Sequence, residues 1–486
     1  MIPQQVENYI NGKEVAPRRQ QYFDKLNPHD GTLLSLVARS DAIDIDDAVR
    51  AATGAALAWR HMPPVKRGEI LFAICRRLQD HQTDVAQIVA LETGKSQKEA
   101  IAETAGAISL GLFMAGEGAR LYGKTTTSAM PNKYPAIIRE PVGTAGLIIA
   151  FNTPIANVAW KVFPALICGN TTVLKSSEDT PLTAQIFAKL AHESGLPPGV
   201  LNVVHGFGQE AGDPLVRHRD VNLISFTGST EVGRSIGQVA AGRLAKVFLE
   251  LGGKNPMVVC DDADLTNAVH WAALSAFSNA GQRCAACSRL IVFEDVYDDF
   301  VARLVEKTKS LRVGPADTDD FGPVINAQQL ANMLACVERA VKQGARILFG
   351  GHRIEDIEHR NGFYMLPTIL EGVEPDDEIS VTELFGPIVC LYKVKNFEQA
   401  LTLSNHSPYG LTACIHTRNI NRANVFVRNV QAGVAVVNAG TYGSEPNMPF
   451  GGVKQSGNGW REPGTEALDV YSNVKNIVTV VNDTDL

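Results

Sequence analysis

Apolar residues recur every three to four positions across residues 44–60, at Ile45, Ala48, Val49, Ala52, Ala56 and Trp59. That spacing predicts an amphipathic helix, stopped by Pro63-Pro64. Helical patterning continues over 66–92 and 95–121, whereas the first forty residues read as short strands and turns, with Asn11-Gly12 as a hairpin turn. Near Ala145 the pattern changes. An apolar run at 145–150 precedes a helix containing 158–167, and a strand follows at 171–175. The next helix has Thr180 as N-cap, Pro181 at its first position, Leu182, Ile186, Phe187 and Leu190 on one face, and Gly195 at its end. Further strands are expected at 200–204, 222–226 and 246–251. Five strands alternating with helices predict a parallel, doubly wound sheet.

A second α/β series runs from 264 to about 438, with strands at 289–293, 388–394, 411–416 and 434–437. Its helices fall at 296–311, 327–343, 397–404 and 421–430. A glycine-rich stretch at 440–464 leads into an alternating apolar tail. The fold class is therefore α/β, with two doubly wound domains.

Composition narrows the function classes. The chain has 486 residues, 45% of them hydrophobic, with a formal net charge of -7. Lys and Arg are scattered, which argues against nucleic-acid binding. The polar N-terminus lacks the apolar core of a signal peptide, and the charge-free window at 141–160 is interrupted by Asn152, so no membrane span is expected. Eight cysteines, mostly in apolar surroundings, read as reduced thiols of a cytoplasmic protein.

Ligands of doubly wound sheets sit at the C-terminal ends of strands. Four such ends carry polar or glycine-rich sequence: Asn152, Lys175 with Glu178, the loop Gly206 to Gly212, and Gly228-Ser229-Thr230. The loop around Gly208 is one residue too long for a dinucleotide fingerprint and is equally a plain turn. The amides and Ser229 hydroxyl at Gly228 to Gly233 suit a phosphate or a simple helix cap. Lys175 and Glu178 suit a ribose or form a surface ion pair. Glu250, followed by Gly252-Gly253, can reach into a cleft or serve as a cap.

Cys284, in Gly281-Gln-Arg283-Cys284, lies between a helix and a strand, and Arg283 beside it suggests a lowered thiol pKa. The Cys284-x-x-Cys287 spacing does not make a zinc site, because no second such pair and no HxxxH accompanies it. A mid-chain position argues against a thioredoxin-like pair, so Cys287 is expected to be a packed core thiol. No metal is expected.

These residues fall in one order with one set of spacings: Phe151-Asn152, Trp160-Lys161, Lys175-Ser-Ser-Glu178, Phe226-Thr-Gly-Ser-Thr-Glu-Val-Gly233, Glu250-Leu-Gly-Gly-Lys254, Gly281-Gln-Arg-Cys284, Glu383-Leu-Phe-Gly-Pro387, and Pro449-Phe-Gly-Gly-Val-Lys454 before Ser456-Gly457. Along nearly the whole chain this resembles the NAD(P)-dependent aldehyde dehydrogenase superfamily, with similarity to bacterial enzymes acting on semialdehydes. The resemblance implies an NAD-binding domain from 1–122 and 142–251, a catalytic domain at 252–450, and a small β oligomerisation segment from 123–141 and 466–486. In that last segment Val470, Val474, Ile477, Val478 and Val480 suit an intersubunit strand of a homodimer or homotetramer.

The resemblance implies that Cys284 attacks the aldehyde carbon, that the Asn152 amide and the Cys284 backbone N–H receive the oxyanion, that Glu250 activates water against the thioester, and that Lys161 tunes protonation. NAD would lie against Ile149, Phe151, Lys175, Glu178, Gly208 and Phe226. Its remaining contacts would be Thr227, Gly228, Ser229, Gly233 and Leu251, with Glu383 on the nicotinamide ribose and Phe385 against the ring. Thr153, Asn157 and Arg283 flank the expected substrate tunnel, and their polarity points to a polar substrate such as a semialdehyde. Phe151 stands where many relatives have Trp, and Thr153 where an aromatic is common. The 456–462 run is one residue longer than in many relatives, which weakens the carry-over of Glu462 as a secondary proton relay. The alternatives are a phosphorylating or coenzyme A-acylating dehydrogenase and a non-catalytic NAD-binding homologue.

Overall fold

Asn11 and Gly12 take φ of 53° and 78°, closing the expected hairpin between strands Asn8–Ile10 and Lys13–Val15. The computed structural model describes residues 2–316 and 318–482. The hairpin extends one edge of a seven-stranded sheet. Across that sheet the order is Lys246–Glu250, Leu223–Thr227, Thr144–Ile148, Thr171–Lys175 and Leu201–Val204, all parallel, then the antiparallel hairpin. The five expected strands are thus present in a doubly wound arrangement. Register aligns their C-terminal ends: Thr227 lies opposite Glu250, and Lys175 is paired with both Ile148 and Val204. One face of the sheet packs on Trp59, Leu71, Phe163, Leu166 and Phe187, the other on Ile45, Val49, Leu215 and Ile236.

The helical region differs in detail from its sequence pattern. The 66–92 stretch is two helices, Pro64–Asp80 and Gln82–Thr93, separated at His81 within the polar run Asp80 to Asp84. Gly94 ends the second in the left-handed region, at φ 77°. The next helix begins at Gln97, capped by Ser96, and ends at Gly116 rather than at 121. Thr180 occupies the N-cap of Pro181–Glu193, but its hydroxyl makes no capping bond. The buried Glu92 carboxylate does that work from a distant helix, accepting from the amides of Leu182 and Thr183 and, at 2.6 Å, from the Thr183 hydroxyl.

The second seven-stranded sheet runs Arg346–Phe349, Thr368–Glu371, Ile388–Val394, Cys287–Phe293, Asn255–Val259, Thr412–His416 and Val434–Val437. Three of these strands lie outside the sequence reading. Asn255–Val259 is buried on both faces, so it lacks alternation, and it carries Pro256. Thr368–Glu371 is a short, mostly buried run, and Arg346–Phe349 is an antiparallel edge strand. Cys287 opens the central Cys287–Phe293 strand and is buried, as expected of a core thiol.

In a third sheet, Ser472–Val480 pairs antiparallel along the whole of Lys133–Pro141, which also pairs with Lys124–Thr125. Val470 does not belong to that strand. It lies in the short helix Ala467–Tyr471 with 0% exposure, because the chain turns into the core before it extends. Val474, Ile477, Val478 and Val480 are exposed. No helix among the described residues is long and apolar enough to cross a membrane.

Candidate active site

The C-terminal strand ends of the first sheet and the 278–285 turn face one cavity of about 900 Å³. Its walls include Asn152, Thr153, Asn157, Thr227, Glu250 and Cys284, together with Lys95, Arg283 and Tyr442. Seven of the eight cysteines are buried, and Cys284 alone is partly accessible.

The turn that presents Cys284 is built from unusual backbone. Asn279, Ala280 and Gly281 take φ of 52°, 53° and 67° in succession. The Asn279 side-chain amide holds this conformation by donating to Asn152 O at 3.1 Å and Gln282 O at 3.2 Å. A Cβ at Gly281 would lie 2.2 Å from Gly386 O, so the turn requires glycine there. Beyond it, Asn255 Nδ2 donates to Cys284 O at 2.7 Å.

The Cys284 thiol pKa is raised, not lowered as the neighbouring Arg283 suggests in the sequence. Burial pushes Cys284 well above the usual thiol range, and the charges of Glu250 and Glu383 push it further. The Ala285 amide and the Arg283 charge oppose this only weakly. Arg283 instead lies 3.4 Å from Glu99 and stacks 4.9 Å over the Tyr442 ring.

Glu250 ends its strand with its backbone carbonyl accepting from Gly228 N at 3.1 Å. Its carboxyl group lines the same cavity as Cys284, with Oε1 buried and without a hydrogen-bond partner, and burial raises its pKa to about 8, with Lys161 opposing and Glu383 and Glu462 adding. Lys161 Nζ donates to Ser225 Oγ at 2.8 Å and to Glu462 at 3.2 Å. Glu462 also accepts from the Tyr471 hydroxyl at 2.5 Å and from Ser225 at 3.3 Å. The longer 456–462 run therefore still delivers Glu462 to Lys161. A charged residue directly before Pro463, in a glycine-rich stretch, was the available signal.

Most of the expected cofactor residues line the strand ends. Lys175, almost fully buried, meets Glu178 at 2.9 Å, and the Glu178 side chain is 41% exposed. Gly208 begins a single wide helical turn, Gly208–Gly212, with open space where a Cβ would be. Ser229 Oγ caps Thr230–Gly242 by accepting from Val232 N at 3.4 Å, which leaves earlier first-turn amides for an anion. Cβ atoms at Gly228, Gly233 and Gly252 would strike the Phe226 ring, the Leu251 side chain and the Glu383 carboxylate, at 2.5, 2.4 and 2.1 Å. The backbone here is thus a narrow cradle, and with Lys175–Glu178 and the open helix end it fits a dinucleotide. Glu383 accepts from Gly253 N at 2.9 Å, and burial raises its pKa to about 7. Phe385, at φ 54°, meets Phe151 edge-on at 5.6 Å. Ile149 N bonds Lys175 O, and Leu251 N bonds Ser456 O.

Thr153 and Asn157 line the cavity but satisfy each other. Asn157 Nδ2 donates to Thr153 O and to Thr153 Oγ1, both at 3.0 Å. Among the described residues, no group of three or more His, Cys, Asp or Glu could hold a metal ion.

Residues 15–477 match the aldehyde dehydrogenase family. The alpha-ketoglutaric semialdehyde dehydrogenase of Bacillus subtilis (strain 168) is 38% identical over 97% of this chain and 97% of its own length. The mitochondrial benzaldehyde dehydrogenase of Antirrhinum majus is also 38% identical, over 98% of this chain and 89% of its own. Betaine aldehyde dehydrogenase of Staphylococcus aureus, solved in complex with NAD+, superposes with a TM-score of 0.96 at 32% identity, covering 99% of this chain and 96% of that one. Fold, strand-end geometry and similarity across nearly the full length agree, and the chain belongs to the aldehyde dehydrogenase family.

Proposed function

We propose that the protein catalyses NAD-dependent oxidation of an aldehyde to its carboxylic acid through a thioester on Cys284, hydrolysed with Glu250 as base. The observation that carries this reading is that the Cys284 side chain and the Glu250 carboxyl group, whose Oε1 is buried without a hydrogen-bond partner, line one cavity with Asn152.

Ionised Glu250 takes the thiol proton as Cys284 attacks the carbonyl carbon. The oxyanion is received by the Asn152 side-chain amide and the Cys284 backbone N–H, uncharged donors that leave the thiolate reactive. NAD, when bound, supplies the oxidant that accepts hydride from the thiohemiacetal carbon. Lys175 and Glu178 hold its adenosine end, the Thr230 helix terminus its phosphates, and Glu383 and Phe385 its nicotinamide end. Glu250 then removes a proton from the water that attacks the thioester. Lys161 and Glu462 lie behind it as a buried pair that sets its charge. A base at this position favours hydrolysis over acyl transfer to coenzyme A or phosphate.

The two seven-stranded sheets and the sheet built on Ser472–Val480 support a division into cofactor, catalytic and oligomerisation parts. Exposed Val474, Ile477, Val478 and Val480 on the third sheet support a homodimer or homotetramer. The eight unpaired cysteines suit the reducing cytoplasm. Polar Thr153, Asn157 and Arg283 at the cavity, together with the named semialdehyde-oxidising relative, support a polar semialdehyde substrate.

The test is NADH formation with a panel of aliphatic, aromatic and semialdehyde substrates, with and without phosphate or coenzyme A. NAD-dependent turnover to the free acid, unchanged by either acceptor, is expected. Turnover that requires phosphate or coenzyme A assigns the acylating chemistry instead, and no turnover with any aldehyde leaves only cofactor binding.

A further inference from the structure

The buried ammonium of Lys95 lies outside the mechanism above, yet it is bonded to the backbone of the oxyanion residue. Lys95 Nζ donates to Asn152 O at 2.8 Å and to Glu103 Oε2 at 2.5 Å. Both side chains are almost inaccessible, at 2% and 6% exposure. The other Glu103 oxygen accepts from the amides of Ile155 and Ala156, at 3.1 and 3.3 Å. The short segment that carries Asn152 is therefore held at its carbonyl and again at the first turn of the helix Pro154–Ile167.

The same carbonyl also takes the Asn279 side-chain amide, and Asn279 N donates to Glu99 Oε1 at 2.9 Å. Glu99 and Glu103 stand one turn apart on the helix Gln97–Gly116, just after Lys95. One helix end thus grips both the strand-end segment of Asn152 and the left-handed turn that leads to Cys284. A carbonyl held by two donors fixes its peptide plane, and with it the direction in which the adjoining Cα presents its side chain.

We propose that Lys95, with Glu103 as its counter-ion, is a positioning residue that sets the Asn152 side chain against the Cys284 turn for oxyanion stabilisation. This rests on the reading of Asn152 as the oxyanion donor. Displacement of a reacting group by about 1 Å costs on the order of 100-fold in rate. Loss of the Lys95 tether is accordingly expected to slow the step that forms NADH by about 10- to 100-fold. Cofactor affinity is expected to stay within about twofold, because Lys95 lies on the aldehyde side of the site.

The experiment is a double-mutant cycle on the full-length enzyme. Lys95→Met, Asn152→Ala and the combined variant are mixed rapidly with NAD and aldehyde, and the rate of the first NADH turnover is read. NAD affinity and the rate of Cys284 alkylation by iodoacetamide, which involves no oxyanion, are measured alongside. The expected result is a large loss in each single variant and no further loss in the combined one, with NAD affinity and alkylation unchanged. Losses that multiply in the combined variant, or a Lys95→Met enzyme with the wild-type rate, overturn the proposal. An Asn152→Ala enzyme with the wild-type rate overturns the reading of Asn152 itself. If Lys95→Met does not fold, the charge-neutral pair Lys95→Met/Glu103→Gln takes its place in the same cycle. Lys95→Arg, which keeps a donor and the charge, is expected to recover part of the rate, and a rate no better than that of Lys95→Met also counts against the proposal.

Discussion

Lys161 and Glu462 form an ion pair at 3.2 Å with each side chain only 1% exposed, although they are far apart in sequence. Ser225 and Tyr471 complete their shell, so neither charge is left without partners in the interior. Breaking such a pair from one side strands a buried charge and costs about 3–5 kcal/mol. Lys161→Met is therefore expected to lower the thermal midpoint markedly, while the double variant Lys161→Met/Glu462→Met recovers much of it. Calorimetry on the wild type and the two variants checks this. Equal midpoints for the single variant and the wild type contradict the pairing.

Under the proposed mechanism Glu250 carries the pH dependence. Its pKa is raised to about 8 by burial, so near neutrality its protonated form predominates in the fold. The sign follows directly. The stabilisation associated with this proton is complete below the ordinary carboxylate range and is lost as pH rises through about 8. Base catalysis moves the other way, because only the carboxylate removes a proton. Thioester hydrolysis should climb through this range in the wild type and stay low and flat in Glu250→Gln. Melting curves from pH 6 to 9 should show a smaller decline in Glu250→Gln than in the wild type. A pH–rate profile that levels off well below neutrality refutes the assignment.

The Glu178 carboxylate, 41% exposed beside Lys175, should favour NAD over NADP. A 2′-phosphate would bring like charges together at a cost of about 1–3 kcal/mol, reduced by salt because the site is partly open. Comparing kcat/KM for the two cofactors, in the wild type and in Glu178→Thr, checks this. Higher efficiency with NADP in the wild type contradicts it, as does a gap that the substitution leaves unchanged.

Arg283 has a weaker claim on the substrate in the structure than in the sequence, since it already leans on Glu99 and Tyr442. Its Nε nevertheless lacks a protein partner, which leaves one donor for an anionic group. In Arg283→Leu, succinic semialdehyde should lose about 10-fold in kcat/KM, while an uncharged aldehyde of equal length changes little. Equal losses for the two substrates remove Arg283 from substrate recognition.

How much of this was legible beforehand depends on the range of the interactions involved. Strands 171–175, 388–394 and 434–437 were located to the residue, because apolar runs bounded by turns are local signals. Asn255–Val259 escaped because a strand covered on both faces has no alternation. At Thr180 local capping chemistry pointed to the correct boundary but the wrong acceptor, since Glu92 arrives from another helix. The site residues announced themselves through motif spacing. Lys95 and Glu103 did not, and Glu462 did so only weakly, because the contacts that tie them to the site, to Asn152, Ile155 and Lys161, span 52 residues or more. Arg283 shows the converse: adjacency in sequence suggested an activated thiol, whereas burial and two nearby carboxylates raise its pKa.

The central claim is that oxidation passes through an acyl group on Cys284 whose removal depends on Glu250. Rapid mixing of Glu250→Gln with NAD and aldehyde, followed by acid quench and peptide mass analysis, tests it most directly. The account predicts a burst of about one NADH per active site, then near-arrest, with the acyl mass on the peptide containing Cys284. Steady turnover at the wild-type rate, or an acyl group on any other residue, would contradict it.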